Sequence, residues 1–226
     1  MTDDSDSAAA ASYSIDDPRP IAAEAPYTFA RPADDRLDLL QAGDIVKLIF
    51  RAIPADRKYP AERMWVEITT INGEKFEGTL VNHPDDMPML NYRDVVTFNR
   101  WHIIDYRFEG EGRDAHLPPI PPKQYWERCL VDQEILDGTA RVGYLYREEA
   151  DMTREGDQYP DSGWRIRADV YQLTDEQYEN PNPQYVALGA VLNRDDTWLH
   201  LIDAPIGSRY MLNQDTEIFE PSKDDD

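Results

Sequence analysis

A single cysteine, Cys129, excludes an internal disulfide and any zinc site built on thiolates. It is expected in the interior as a small apolar residue, with no role as a nucleophile. Basic residues are also scarce, with 23 lysines and arginines against 45 aspartates and glutamates and a net charge of −22. Residues 1–122 carry 22 acidic and 13 basic side chains (net −9), and residues 123–226 carry 23 and 10 (net −13), so neither half conceals a basic module. Nucleic-acid binding draws most of its affinity from Lys and Arg displacing counterions, and anionic lipid repels an acidic surface in the same way. Neither nucleic acid nor membrane is therefore expected as a partner. No stretch approaches the ~18 apolar residues of a membrane span. Met1 to Asp6 lacks the basic segment of a secretion signal, and the alanines from Ala8 to Ala11 are too few for its apolar core. The expectation is a soluble protein of a reducing, cytoplasmic compartment. Phosphate-cradling loops of the G-x-x-x-x-G-K or G-x-G-x-x-G type are missing. His83, His102, His116 and His200 stand apart and match neither H-E-x-x-H nor a calcium loop. No metal, nucleotide or other cofactor is expected.

What the chain does have is enough apolar surface to fold: 41% hydrophobic and 11% aromatic residues, over a length that allows two domains. Residues 1–36, rich in Ala, Asp, Pro and Ser without an apolar period, are expected to form a disordered tail. From 37 to 109 the period is two. Met64, Val66 and Ile68 alternate with Trp65, Glu67 and Thr69, Asn72-Gly73 marks a hairpin, and Phe76, Gly78 and Leu80 resume the alternation. Asp44 to Phe50, Val96 with Phe98, and Ile104 to Phe108 add further strands. The pattern predicts an antiparallel β domain of the SH3-like barrel kind. Gly110 to Pro122 reads as a linker stiffened by polyproline II geometry, or as a strap over a single larger domain. Residues 123–222 mix periods. Trp164, Ile166, Ala168 and Val170 alternate with Arg165, Arg167 and Asp169 as in a strand with one wet face. Leu188, Val191 and Leu192, then Trp198, Leu201 and Ile202, fall at helical spacing, and Thr174 to Gln177 is a capping box. The fold class predicted is α+β overall, with an N-terminal antiparallel β domain followed by an α+β domain.

Four polar segments bear on function. Asp161-Ser162-Gly163-Trp164-Arg165 is a turn that launches a strand in one reading, and in the other a set of groups presented to a partner. Glu148, Glu149 and Asp151, continued by Glu155 and Asp157, form either a solvated loop face or a charged loop that speeds encounter with a basic partner. Asp203 and Ser208 flank an exit loop shaped by Pro205 and Gly207, and would share a groove with Asn193. The acidity itself supports solubility or attraction to a basic partner. Trp65, Trp101 and Tyr92 could supply an aromatic patch to the first domain, against the reading that two or more are core residues. No G-x-S-x-G elbow surrounds Ser162, and neither Ser162 nor Asp203 has a partner base, so no catalytic residue is assigned.

Val142 to Glu149, Asp161 to Arg165, Leu188 to Asn193 and Leu201 to Ser208 resemble the bacterial immunity-protein domain of polymorphic toxin systems, first catalogued as a domain of unknown function. The resemblance covers roughly residues 125 to 212. It implies a protein that binds and occludes a toxin and needs no chemistry. Gly43 to Phe50, Glu62 to Glu67 and Gly78 to Asn82 resemble a second small bacterial domain family of unknown function, over about residues 40 to 108. Together these point to a non-enzymatic immunity-type protein whose partner is a protein, expected to be a basic toxin or a toxin-like molecule. The residues proposed for contact are Glu148, Glu149, Asp151, Asp161, Ser162, Trp164, Arg165, Asn193, Asp203 and Ser208. The competing reading is a regulatory or scaffolding protein whose β domain binds a peptide or small ligand. Oligomeric state is not legible in the sequence.

Overall fold

Alternation of apolar and polar residues becomes sheet in both halves of the chain. The structure, a computed structural model, describes residues 12–55, 58–110, 112–118 and 124–222. It is mostly β with a few short helices, and clusters into two units, Met1–Ala23 with Ala30–Ile120 and Glu24–Phe29 with Pro121–Asp226.

In the first unit β1 (Ser12–Ile15), β2 (Ile45–Ile53), β3 (Ala61–Asn72), β4 (Lys75–Leu80) and β5 (Val95–Asn99) pair in that order, each antiparallel to the next. β6 (Asp105–Arg107) returns to β2 alongside Ile45–Lys47, so the sheet curls towards a barrel. The inward faces supply Val46, Leu48 and Phe50, Met64, Val66 and Ile68, and Phe76 and Phe98, whose rings stack at 5.5 Å. The hairpin expected at Asn72-Gly73 joins β3 to β4, with Gly73 at φ 59, a left-handed value that glycine adopts without strain.

The stretch predicted to be a disordered tail is ordered from Ser12 onward. It carries β1, α1 (Arg19–Glu24) and α2 (Asp34–Leu37). Averaging over 36 residues hid two apolar side chains on one face of β1: Tyr13 and Ile15 pack on the core, and Tyr13 meets Phe50 at 5.7 Å. Asp16 then closes the strand end by a fork onto Arg51, with bonds of 2.6 to 3.0 Å. Residues 1–11 lie outside the described residues. Of the expected linker, residues 112–118 are held on the first unit: Arg36 donates to the carbonyls of Asp114 and Pro118, and Arg113 to Asp44 and the Leu39 carbonyl. Residues 111 and 119–123 lie outside the described residues.

The second unit is a six-stranded sheet in the order β10 (Pro183–Ala187), β7 (Arg128–Asp132), β9 (Asp161–Ala168), β8 (Val142–Arg147), β11 (Arg209–Leu212), β12 (Phe219–Pro221). β7 and β9 are parallel and the other pairs antiparallel. The core side holds Cys129, Val131, Trp164, Ile166, Leu145 and Leu212, closed by α3 (Gln133–Leu136), α5 (Leu188–Leu192) and Trp198. Trp164 and Trp198 are both 0% exposed and meet edge to face at 5.7 Å. The capping box at Thr174 starts α4 (Asp175–Glu179), with Gln177 N–H bonded to the Thr174 hydroxyl. Asn193 closes α5. The second helical stripe, at Trp198, Leu201 and Ile202, is instead one 3-10 turn over Leu199–Leu201. Its side chains still reach the core, because apolar residues this close in sequence fit a single tight turn as well as an α-helix.

Residues 24–29 belong to this unit although they precede most of the first. Asn193 accepts the Tyr27 N–H at 2.9 Å and donates to the Thr28 hydroxyl at 2.8 Å, and the Tyr27 phenol donates to Asp196 at 2.6 Å. A side chain at Gly189 would strike the Tyr27 carbonyl, so only glycine lets this segment lie against α5.

Candidate functional site

Alternation along β9 sends Trp164, Ile166 and Ala168 into the core and Arg165 and Arg167 to the other face of the sheet. Strand register builds that outer face across its neighbours. Tyr146 lies opposite Arg165 and Tyr144 opposite Arg167; beyond them come Arg209 and Met211, and on the other flank Leu130 and Tyr185. None of these side chains belongs to the apolar cluster. Tyr144 and Tyr146 meet at 5.7 Å, Arg209 lies over the Tyr146 ring and donates to the Tyr144 hydroxyl, and Met211 is 54% exposed. Arg167 donates to Asp132 at 2.9 Å, and Arg128 lies over Tyr185 at 5.2 Å.

At one end of this face the Asp161–Arg165 segment makes a clamp. Four residues of regular strand would separate Asp161 and Arg165 by about 13 Å. The register between β7 and β9 shifts here, with Asp161 opposite Arg128 and Arg165 opposite Leu130, and Gly163 takes φ 80, so the strand bulges and Asp161 grips Arg165 through two bonds of 2.9 Å. A Cβ at Gly163 would collide with the Glu148 carbonyl, which explains the glycine twice over. The same guanidinium donates to Glu148 at 2.5 Å and Asp151 at 2.8 Å. Asp161 also accepts the amides of Gly163, Asp151 and Met152, tying the acidic loop to the strand. Burial opposes the charge on Asp161, but the guanidinium and the Gly163 amide outweigh it and hold its carboxyl below the usual range. The hydrogen bonds that Arg165 donates to Asp161, above all, push the guanidinium further up.

The structure brings together Glu148, Asp151, Asp161 and Arg165 of the expected contact residues and places the others as follows. Trp164 is core, its indole N–H bonded to the Ile202 carbonyl, and offers a partner nothing. Ser162 is buried and bonds the Arg128 carbonyl at 2.7 Å, so turn geometry accounts for it. Arg165 and Asp161 are buried in their own pair. Glu148 and Asp151 are ion-paired, leaving Glu149 as the exposed charge of that trio without a role in the clamp. Asn193 is engaged by residues 27 and 28, not by a groove with Asp203 and Ser208. Asp203 is exposed, and the Ser208 carbonyl accepts the Arg147 amide. Sequence reasoning missed Tyr144, Tyr146, Arg209 and Met211, although the alternation Tyr144-Leu145-Tyr146 was available to place the first two.

In the first unit Trp65 lies beneath Lys47 and Arg107, Trp101 beneath Arg19, and Tyr92 against His83, so each ring has different neighbours. Cys129 is buried, and burial pushes its thiol up, away from the reactive thiolate. Among the described residues no group of three His, Cys, Asp or Glu is placed to hold a metal, and no helix is long and apolar enough to cross a membrane.

Residues 129–222 match the Immunity protein Imm33 domain. The match spans the clamp and most of the outer face, and leaves out residues 24–29. Residues 34–115 match a family described as an uncharacterized protein conserved in bacteria (DUF2314). No curated protein and no solved structure matches the chain. The immunity domain supports an immunity-type role in general, and with it a protein partner.

Proposed function

We propose that the chain is a non-enzymatic immunity-type protein that neutralises a toxin or toxin-like protein by occupying it, through the outer face of its C-terminal sheet. The match over residues 129–222 supports the role, and the composition of the face supports the placement. Tyr and Arg supply much of the binding energy at protein interfaces, and Met adapts to irregular surfaces. Tyr144, Tyr146, Tyr185, Arg167, Arg209 and Met211 put those residue types on one side of one sheet, outside the core. The clamp orders the neighbouring loop in advance, which spares about 0.5–1.5 kcal/mol for each side chain that binding would otherwise immobilise. Glu149, Glu155 and Asp157 remain exposed on that loop and would accelerate encounter with a basic partner. We read the N-terminal unit as an SH3-like barrel and the second as α+β, and a cytoplasmic location follows from the same functional reading.

The test is protection of growth in cells expressing candidate toxins, with the native chain and with a Tyr144→Ala, Tyr146→Ala double variant of native melting temperature. Protection by the native chain and its loss in the variant support the proposal. Protection by both moves the contact off this face. Peptide binding by the N-terminal unit, with no toxin neutralised, favours a regulatory protein instead.

A further inference from the structure

A second site stands apart from the clamp and the outer face and shares no residue with them. A cleft of about 490 Å³ is lined by Arg141, Arg194, Gln172 and Glu217, with the buried side chains of Ile135 and Leu212 among its walls. Pockets of a few hundred Å³ are the size that holds small ligands.

Its two arginines are in different states. Arg141 donates to Asp169 at 3.0 Å, to Glu217 at 3.0 Å and to Gln214 at 2.8 Å. The Asp169 side chain is 2% exposed and is a fixed counter-ion, whereas that of Glu217 is 73% exposed. An ion pair so open to water holds weakly and exchanges readily. Glu217 also sits at φ 55, an uncommon conformation for a residue with a side chain, in the turn between β11 and β12. The Arg194 guanidinium has no hydrogen bond or ion pair with any described residue. Asp195 does not neutralise it by contact, because its oxygens are taken by the Val142 amide and by the amide and hydroxyl of Thr197.

A guanidinium fork matches the two oxygens of a carboxylate. We infer that this cleft binds a carboxylate-bearing ligand, recognised by Arg194 and Arg141, with Glu217 as the internal carboxylate that the ligand displaces. A cleft of this volume admits a short chain behind the carboxylate, as in a small dicarboxylic acid or the side chain of an Asp or Glu residue. The inference does not depend on the toxin-binding reading.

The experiment titrates the full chain, at fixed ionic strength, with succinate, with a blocked Ala-Glu-Ala peptide and with inorganic phosphate, following amide shifts of residues 139–141, 194–197 and 217. Saturable binding of succinate or the peptide is expected, weakened about tenfold by Arg194→Gln. Glu217→Gln should strengthen it several-fold by removing the competitor, a gain that a merely structural role for Glu217 would not produce. Succinate binding assigns the site to a free acid, and binding of the peptide alone assigns it to a protein side chain. The Arg194 side chain is exposed and unpartnered among the described residues, so its replacement leaves the fold intact, and Arg194→Lys separates loss of charge from loss of the fork. The inference is overturned by absence of saturable binding, by indifference to Arg194→Gln, by weakening in Glu217→Gln, or by equal binding of phosphate.

Discussion

Removing Asp161 tests whether the clamp, not simple strand pairing, holds the acidic loop. Its side chain is 0% exposed and that of Arg165 is 4% exposed, so Asp161→Ala leaves a buried guanidinium without its two-bond partner. Cutting one member of a buried pair typically costs about 3–5 kcal/mol. Glu148 and Asp151 stay on Arg165, which puts the expected loss near the lower limit, about 3 kcal/mol. Arg165→Met strands the Asp161 charge instead and should cost a similar amount. The double variant removes the pair together, so its loss should fall short of the sum by about 2 kcal/mol. With a urea dependence of about 2 kcal/mol per M, each single variant lowers the midpoint by about 1.5 M. Amide exchange of β9 against urea reads this unit alone. A loss under about 1 kcal/mol for Asp161→Ala, or additivity within about 0.5 kcal/mol, would refute the reasoning. The pH dependence carries a sign. Asp161 titrates lower in the folded chain than in the unfolded one, so its contribution is complete above the unfolded value and disappears as pH falls through the folded value. Asp161→Asn should flatten that acid limb.

Two further outcomes follow from local geometry. Gly138 and Gly163 both have positive φ, but only Gly163 faces an obstructing carbonyl. Gly138→Ala should therefore cost about 1–2 kcal/mol from backbone strain, and Gly163→Ala at least about 1 kcal/mol more from overpacking, measured by thermal melts. The Tyr27 phenol is pushed up to about 12 by its hydrogen bond to Asp196. Its folded value exceeds its unfolded one, so that bond's contribution is intact below the unfolded value and is lost as pH rises through about 12. Asp196→Asn should bring the phenol back towards its ordinary range in an ultraviolet titration, and an unmoved titration curve would remove Asp196 as the cause.

The strands were the most legible part of the chain, because a period of two needs only a core on one side. Met64, Val66 and Ile68 and the Asn72-Gly73 turn sit where their pattern placed them, as do Trp164, Ile166 and Ala168, whereas Val170, read as the next inward residue, is 53% exposed in a 3-10 turn that follows the strand. What pattern could not supply was pairing across long separations. Tyr27 meets Asn193, and Arg209 meets Tyr144 and Tyr146, through contacts that only the folded register creates. The same limit governs the site. Asp161 bonds the Gly163 amide, as one reading of the segment has it, yet the sequence could not show that Arg165, on the outer face, would be covered by Asp161, Glu148 and Asp151, because an alternating strand normally sends its arginines to water. The same limit applies to the acidic loop, where Glu148 and Asp151 both pair with Arg165.

The most direct test of the central claim is co-purification of the full chain from its native host at low and moderate salt, set beside the Tyr144→Ala, Tyr146→Ala variant and a Trp65→Ala variant in the other unit. The account predicts that a specific protein accompanies the native chain and the Trp65 variant, is lost from the tyrosine variant, and protects Tyr144, Tyr146 and Met211 amides from exchange when bound. A partner retained by the tyrosine variant and lost from the Trp65 variant would contradict it.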